Sequence, residues 1–188
     1  MTTSTPENAS PVQLNLRNSE AFQVLYAQRY LAVYRFIYGL HGGPSEDVED
    51  LTAETFVRAW KARRRFRGTE RAALGWLMKI ARNLVIDSHR RTQNHGVPQD
   101  IAILDLPASD PDPEAQAQFR EQAQILWDLL NALPDQQREI LVLRYMLGWR
   151  VQEIADYLEM KENTVSVYIR RALQNLRQNW PENDEKRS

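Results

Sequence analysis

Apolar residues recur along this chain at the three-to-four-residue spacing of amphipathic helices, interrupted by clusters of Gly, Pro and Asp. Phe22, Leu25, Tyr26, Val33, Phe36, Ile37 and Leu40 predict a first helix, capped by Ser19 and stopped by Gly42, Gly43 and Pro44. Val48, Leu51, Thr55, Phe56, Ala59 and Trp60 form the inner stripe of a second helix, with Ser45 as its cap. A third runs from about Ala72 to Arg91, with Ala73, Leu77, Ile80, Ala81, Leu84 and Ser88 inward. Helical spacing resumes over Ala115–Ala132 with Phe119, Ala123, Leu126 and Leu130. After Leu133, Pro134 starts a helix carrying Ile140, Leu141, Leu143, Tyr145 and Leu147, which ends at Gly148. Val151, Ile154, Ala155 and Leu158 give a short helix; Val165, Ile169, Ala172 and Leu176 give a longer one. No stretch alternates with the period of two that a half-buried strand shows, so the fold class expected is all-α.

The interruptions divide the chain. Met1–Asn18, rich in Thr, Ser, Asn and Pro, reads as a loose tail. Between the third and fourth helices, Gly96, Pro98, Pro107, Pro111 and Pro113 break any helix, and Asp100, Asp105, Asp110 and Asp112 make the stretch acidic. Two small helical domains joined by a flexible acidic linker follow: a tail at 1–18, a first domain at 19–92, a linker at 93–114, a second domain at 115–180 and a C-terminal tail at 181–188. A hydrophobic content of 43% is that of a packed chain rather than a disordered one. No apolar run approaches a membrane span, and no signal-peptide pattern opens the chain, so no membrane insertion is expected. The absence of cysteine rules out disulfides and thiolate metal sites and suits a reducing cytoplasm. His41, His89 and His95 match no zinc spacing, and no metal or other cofactor is expected.

Charge changes the picture most. The net charge of −1 conceals a segregation. Glu46, Asp47, Glu49, Asp50 and Glu54 come with no base among them. From Arg58 to Arg91, eleven Lys and Arg then face only Glu70 and Asp87, a local net charge of +9. A basic block of that density is the footprint of a polyanion site. Asp47, Asp50 and Glu54 share one outer helical face, which is either a solvated face complementing the helix dipole or a second partner surface. An enzymatic carboxylate pair is disfavoured, because no nucleophile, histidine or Gly-rich loop accompanies it. On the third helix, Trp76, Lys79, Asn83, Ile86, Asp87 and Arg90 fall in one outward sector, preceded by the basic segment Arg64, Arg65, Phe66, Arg67 and Arg71. Asn and Arg offer bidentate hydrogen bonds to base edges, and aromatics stack on unpaired bases. Trp76 has two readings, as a stacking platform or as an anchor to a neighbouring helix.

Ala155, Glu159 and Val165 have helix-turn-helix spacing: the small Ala lets two helices approach and Val165 fills the angle between them. Lys161, Asn163, Thr164, Ser166, Val167, Arg170, Arg171 and Gln174 then lie on the outer side of a helix able to enter the major groove.

With these residues in place, the chain from about Glu20 to Gln178 resembles an extracytoplasmic-function (ECF) sigma factor of the sigma-70 family. The run from Glu46 to Trp60 (EDVEDLTAETFVRAW), the run from Gly75 to Asp87 (GWLMKIARNLVID) and Arg90-Arg91 are similar to sigma region 2. Ala132-Leu133-Pro134, and Glu153-Ile154-Ala155 through Thr164-Val165 to Arg171-Ala172-Leu173, are similar to region 4. The resemblance implies that Asp47, Asp50, Leu51, Glu54 and Phe56 grip the β′ clamp helices of the RNA polymerase core. It implies that Arg64, Arg65, Phe66, Arg67, Arg71, Trp76, Lys79, Asn83, Asp87, Arg90 and Arg91 capture the −10 element of promoter DNA. The region 4 residues Lys161, Asn163, Thr164, Ser166, Val167, Arg170, Arg171 and Gln174 would read the −35 element, with the β flap alongside. An anti-sigma protein is an expected partner. The chain departs from the family at Glu159 and Asn163, where Gly is usual, at Lys161, where a Ser cap is usual, and at Ser166 and Tyr168, where bases are frequent. No −35 sequence is therefore carried over. A helix-turn-helix regulator that binds duplex DNA only is the alternative, but such a protein needs no melting surface.

Overall fold

The computed structural model describes residues 13–91 and 113–181, with side chains of the second stretch described from 121 onward. Seven α-helices form among the described residues: α1 Ser19–His41, α2 Ser45–Ala62, α3 Glu70–Arg91, α4 Pro113–Asn131, α5 Asp135–Leu141, α6 Val151–Leu158 and α7 Glu162–Gln178. A 3₁₀ turn at Arg63–Arg65 extends α2 and a π-helical turn at Val142–Met146 extends α5. Among the described residues the all-α expectation is met, with a single isolated bridge between Gln13 and Thr69. Of the expected linker 93–114, residues 93–112 lie outside the described residues, and Pro113 and Glu114 are corrected: they open α4, where the missing N–H of a proline in the first turn costs nothing.

Both serine caps are corrected. Asn18 caps α1, its side chain accepting from Glu20 N–H at 2.9 Å, and Ser19 is already helical. Pro44 precedes α2 with no side-chain cap, because its ring carries no hydrogen-bonding atom, and Ser45 is already helical. Gly42 closes α1 as expected, in the left-handed region at φ 64°, its N–H bonded to Tyr38 O. Residues 13–18 are not loose as expected of the tail. Leu16 is buried, and Leu14 N–H donates to Gly68 O at 2.9 Å, so this segment is pinned across the start of α3.

Helices α1, α2 and α3 pack as a bundle around Leu25, Val33, Phe36, Ile37, Val48, Phe56, Ala59, Leu77 and Ala81. Along α1 an aromatic ladder at four-residue spacing, Tyr26, Tyr30, Tyr34 and Tyr38, ends edge-on against Trp127 of α4, 4.9 Å between centroids. The same buried cluster continues through Ile140, Val142, Leu143, Ile154, Ala155 and Val165, so the two helical groups share one core; Leu133, Leu141 and Ala172 add a smaller one.

Gly39 makes this junction possible. A Cβ there would lie 2.7 Å from Val142 Cγ2 and 2.8 Å from Met146 Sδ. Only the missing side chain lets α1 meet the π turn.

The π turn corrects the fifth helix. Leu147 N–H bonds Val142 O and Trp149 N–H bonds Leu143 O, so the regular helix ends at Leu141. The shifted phase leaves Tyr145 60% exposed instead of inward. In α4, Trp127 rather than Leu126 takes the buried place. On α3, Met78 and Val85 are buried while Ile80 and Ser88 are half-buried, because α3 is covered over a wider sector than an amphipathic stripe.

Candidate nucleic-acid interface

The acidic face stands on α2. Asp47 and Asp50 are exposed and Leu51 is half-buried. Glu54 accepts from Arg58 Nε at 2.8 Å, and that hydrogen bond holds its carboxyl below the usual range. Phe56 is corrected. It is 4% exposed, with its ring edge-on to Tyr26 at 4.7 Å, so it anchors α2 to α1 and offers no gripping surface. The helix face that carries Asp47, Asp50 and Glu54 points away from the stripe that carries Val48, Thr52, Phe56 and Ala59.

The basic face wraps from the 3₁₀ turn onto α3. Arg64, Arg65 and Arg67 are exposed, and Arg67 Nη1 donates to the carbonyls of Arg64 and Phe66 at 2.9 and 2.8 Å, which stiffens the loop. Arg63 lies 3.4 Å above the Trp60 ring. Phe66 packs against Trp76 at 4.9 Å between centroids. Trp76 is thus partly buried against its own loop, and it also lines a cleft of about 880 Å³ together with Arg65, Arg67, Arg71 and Lys79. Trp76 thus leans on the loop before α3 and leaves part of its ring on the cleft. Lys79, Asn83 and Arg90 are exposed along one side of α3, Asp87 is half-buried beside them, and Arg91 is exposed at the helix end. α3 brings most of the expected −10 residues onto one side.

The opposite wall of that cleft comes from the second helical group: Trp149, Glu153, Asp156 and Tyr157. Arg71 Nη2 meets Glu153 Oε1 at 2.7 Å, and Lys79 Nζ meets Glu159 Oε1 at 3.0 Å. Glu153 also accepts from Arg150 N–H at the start of α6, the larger cause of its lowered pKa. Deeper in, Arg82 Nε meets Glu139 Oε2 at 2.8 Å, and Tyr157 Oη donates to Glu139 Oε1 at 3.1 Å. Glu139 is 2% exposed, and burial pushes its carboxyl up despite Arg82. Burial likewise pushes the Tyr157 hydroxyl up, so it remains a donor. Arg138, 5% exposed, donates to Leu40 O at the end of α1 and to Asn131 and Asp135. Sequence reasoning missed Arg82, Glu139 and Tyr157 as a connected set, and Arg138 with Leu40 O, Asn131 and Asp135 as a second one. Its one signal was a charged pair, Arg138-Glu139, directly before the apolar run Ile140-Leu141-Val142-Leu143.

The helix-turn-helix forms as spaced. Ala155 and Val165 are buried between α6 and α7, and Met160 N–H bonds Ala155 O at 2.9 Å across the turn. Glu159 takes the left-handed conformation, φ 57°, that glycine adopts without strain. Lys161 precedes α7 without a side-chain cap bond, as its replacement of Ser implies. Lys161, Asn163, Ser166, Arg170, Arg171 and Gln174 are exposed and Thr164 and Val167 half-buried, so α7 presents these residues outward.

A three-helix bundle bearing an acidic and a basic face, followed by a helix-turn-helix, defines a two-part DNA-binding protein. Family models agree: residues 25–95 match "Sigma-70 region 2" and residues 123–176 match "Sigma-70, region 4". The chain belongs to the sigma-70 family, among its ECF RNA polymerase sigma factors. It is 34% identical over 142 residues to the ECF sigma factor ShbA of Streptomyces griseus, covering 73% of this chain and 74% of that one. It is 32% identical over 164 residues to BldN of Streptomyces coelicolor, covering 87% of this chain and 62% of that one. The chain spans only 33% to 62% of the length of several curated relatives that it matches. A solved structure of CnrH in complex with the cytosolic domain of CnrY superimposes with a TM-score of 0.62 at 25% identity, covering 86% of this chain and 88% of that one.

Proposed function

We propose that this chain is the promoter-specificity subunit of a bacterial RNA polymerase. In this reading Asp47, Asp50, Leu51 and Glu54 dock the polymerase core at the β′ clamp helices. The side of α3 from Lys79 to Arg90, with the Arg64–Arg71 loop, captures the −10 strand, and α7 reads the −35 duplex while its flank meets the β flap. The observation that carries the reading is the placement of the acidic face of α2 and the basic face of α3 on one rigid bundle. A core contact there would fix the position of the strand-capturing face. Extruding a base costs a few kcal/mol. Stacking on an aromatic returns roughly 1–3 kcal/mol per base, and the basic loop adds phosphate contacts. The chain itself performs no bond chemistry in this scheme; it positions DNA for the polymerase. No helix among the described residues is long and apolar enough to cross a membrane, and the reading places the chain in the cytoplasm with the polymerase. An anti-sigma protein belongs to the same reading, supported by the similar CnrH having been solved with a bound CnrY domain.

A pull-down with purified core polymerase separates this function from that of a duplex-only helix-turn-helix regulator. Stoichiometric retention on the core is expected. Retention on promoter duplex with none on the core would favour the regulator.

A further inference from the structure

The segment ahead of α1 is built into the start of α3. Leu14 N–H donates to Gly68 O at 2.9 Å, and Gln13 and Thr69 form an antiparallel bridge. Leu16 is 1% exposed within the main core. Asn15 Oδ1 accepts from Arg17 N–H at 3.2 Å, and Asn18 caps α1. Residues 13–18 therefore run from α1 to the loop 66–69 with an anchor at each end. They precede the stretch 25–95 that matches region 2, so the contact is a feature of this chain outside the matched residues.

The residues it holds are the ones that shape the loop. Phe66 folds back over Gly68, where a Cβ would lie 2.9 Å from Phe66 Cζ and 3.1 Å from Ala72 Cβ. The same ring packs on Trp76, 4.9 Å between centroids. Thr69 caps α3: its hydroxyl accepts from Ala72 N–H at 3.3 Å and its carbonyl from Ala73 N–H at 3.1 Å. Thr69 also lines the cleft together with Phe66 and Trp76. The ion pair of Arg29 with Glu70 ties α3 to α1 separately. That pair is exposed and weak, and it acts on the helix rather than on residues 66–68. Arg67 bonds carbonyls within the loop.

We propose that Gln13, Leu14 and Leu16 brace the 66–69 loop and so act as positioning residues for promoter selectivity. This rests on the reading of the loop and α3 as the −10 strand face. Phosphate contacts carry no sequence and survive in a loosened loop. A base seated between the loop, Phe66 and Trp76 needs one loop shape. Loosening the loop therefore lowers capture of preferred −10 sequences and spares the others, which narrows the preference.

Three variants of the full chain test this. Leu14→Pro removes the N–H donor. Leu14→Ala keeps that donor and trims the half-buried side chain. Phe66→Ala alters the loop directly. Amide exchange over residues 66–73 is followed by mass spectrometry in the free chain. Run-off transcription with core polymerase is then measured on one promoter, recovered from a genomic library and randomised over its −10 element. In Leu14→Pro, exchange over 66–73 should rise about fivefold, the worth of one net hydrogen bond, and the spread among −10 sequences should narrow by a similar factor. Retention on the core should not change, and Leu14→Ala should stay near wild type in both readouts. Unchanged exchange in Leu14→Pro would overturn the brace. An equal loss of transcription from every −10 sequence would show a merely structural segment and overturn the role in selectivity. Faster exchange with unchanged preference would overturn it as well, and Phe66→Ala then separates the causes. A changed preference in Phe66→Ala leaves the strand-face reading standing; an unchanged one there too means that this reading fails with the proposal.

Discussion

Arg82 of α3 and Glu139 of α5 meet at 2.8 Å across 57 residues of sequence, and the carboxylate is almost wholly withdrawn from water. Their contact joins the two halves that the family models match separately. Removing one partner of a buried pair strands the other, which costs about 3–5 kcal/mol, and the 40% exposure of Arg82 places this case at or below the lower end. Arg82→Ala should lower the urea midpoint accordingly, with a smaller loss for Glu139→Gln, which keeps the Tyr157 hydrogen bond.

The same carboxylate sets a pH dependence. Burial raises the folded-state pKa of Glu139 above its ordinary 4.5. Between those two values the folded chain binds the extra proton, so this stability is fully present below 4.5 and is lost as pH rises through the raised value. Glu153 works the other way. Its lowered pKa contributes stability above 4.5 that is lost as pH falls through the depressed value. Urea unfolding of wild type should therefore show a stability slope on the neutral side of pH 4.5 that Glu139→Gln removes. An identical slope in the variant would assign the titration elsewhere.

Gly39→Ala tests the junction of α1 with the π turn. A methyl group 2.7 Å from Val142 Cγ2 must push the helices apart. A loss of about 1–3 kcal/mol is expected, with α2 and α3 retaining their helicity by circular dichroism.

On α2 the two sides of one helix should separate cleanly. Asp50→Arg with Glu54→Arg removes the acidic face and opposes Arg58 with a like charge, a stability cost of a few tenths of a kcal/mol. Core polymerase retention should be lost while the melting temperature holds. Phe56→Ala, by contrast, should cost about 3–5 kcal/mol in unfolding free energy, because the ring is core.

That contrast shows how far the sequence was legible. Helical spacing located all seven helices, and the spacing of Ala155, Glu159 and Val165 located the turn between α6 and α7, because both depend on local periodicity. Spacing placed Phe56 on the inner stripe, where it is; the contact role that the resemblance implied for it conflicts with that burial, because a motif names residues without saying which side of the helix each occupies. The caps failed by one residue, since Asn18 and Ser19 are equally good candidates in sequence. Arg138 and Glu139 were illegible as a junction because their partners lie in α1 and α3, and periodicity says nothing of pairs 57 or 98 residues apart. The shared core escaped for the same reason.

On α3, Asn83 and the loop arginines should behave differently. If Asn83 reads a base, Asn83→Ala should cost about 1–3 kcal/mol at one promoter position and relax preference there. Arg64→Ala should weaken all promoters alike and flatten the salt dependence, because phosphate contacts carry no sequence. Transcription across −10 variants at two salt concentrations reads both effects.

The most direct measurement is permanganate footprinting of promoters recovered by run-off transcription from a genomic library. With core polymerase and this chain together, thymines of the −10 region should become reactive, and neither component alone should expose them. A −10 region that stays paired while the chain binds duplex DNA on its own would contradict the account.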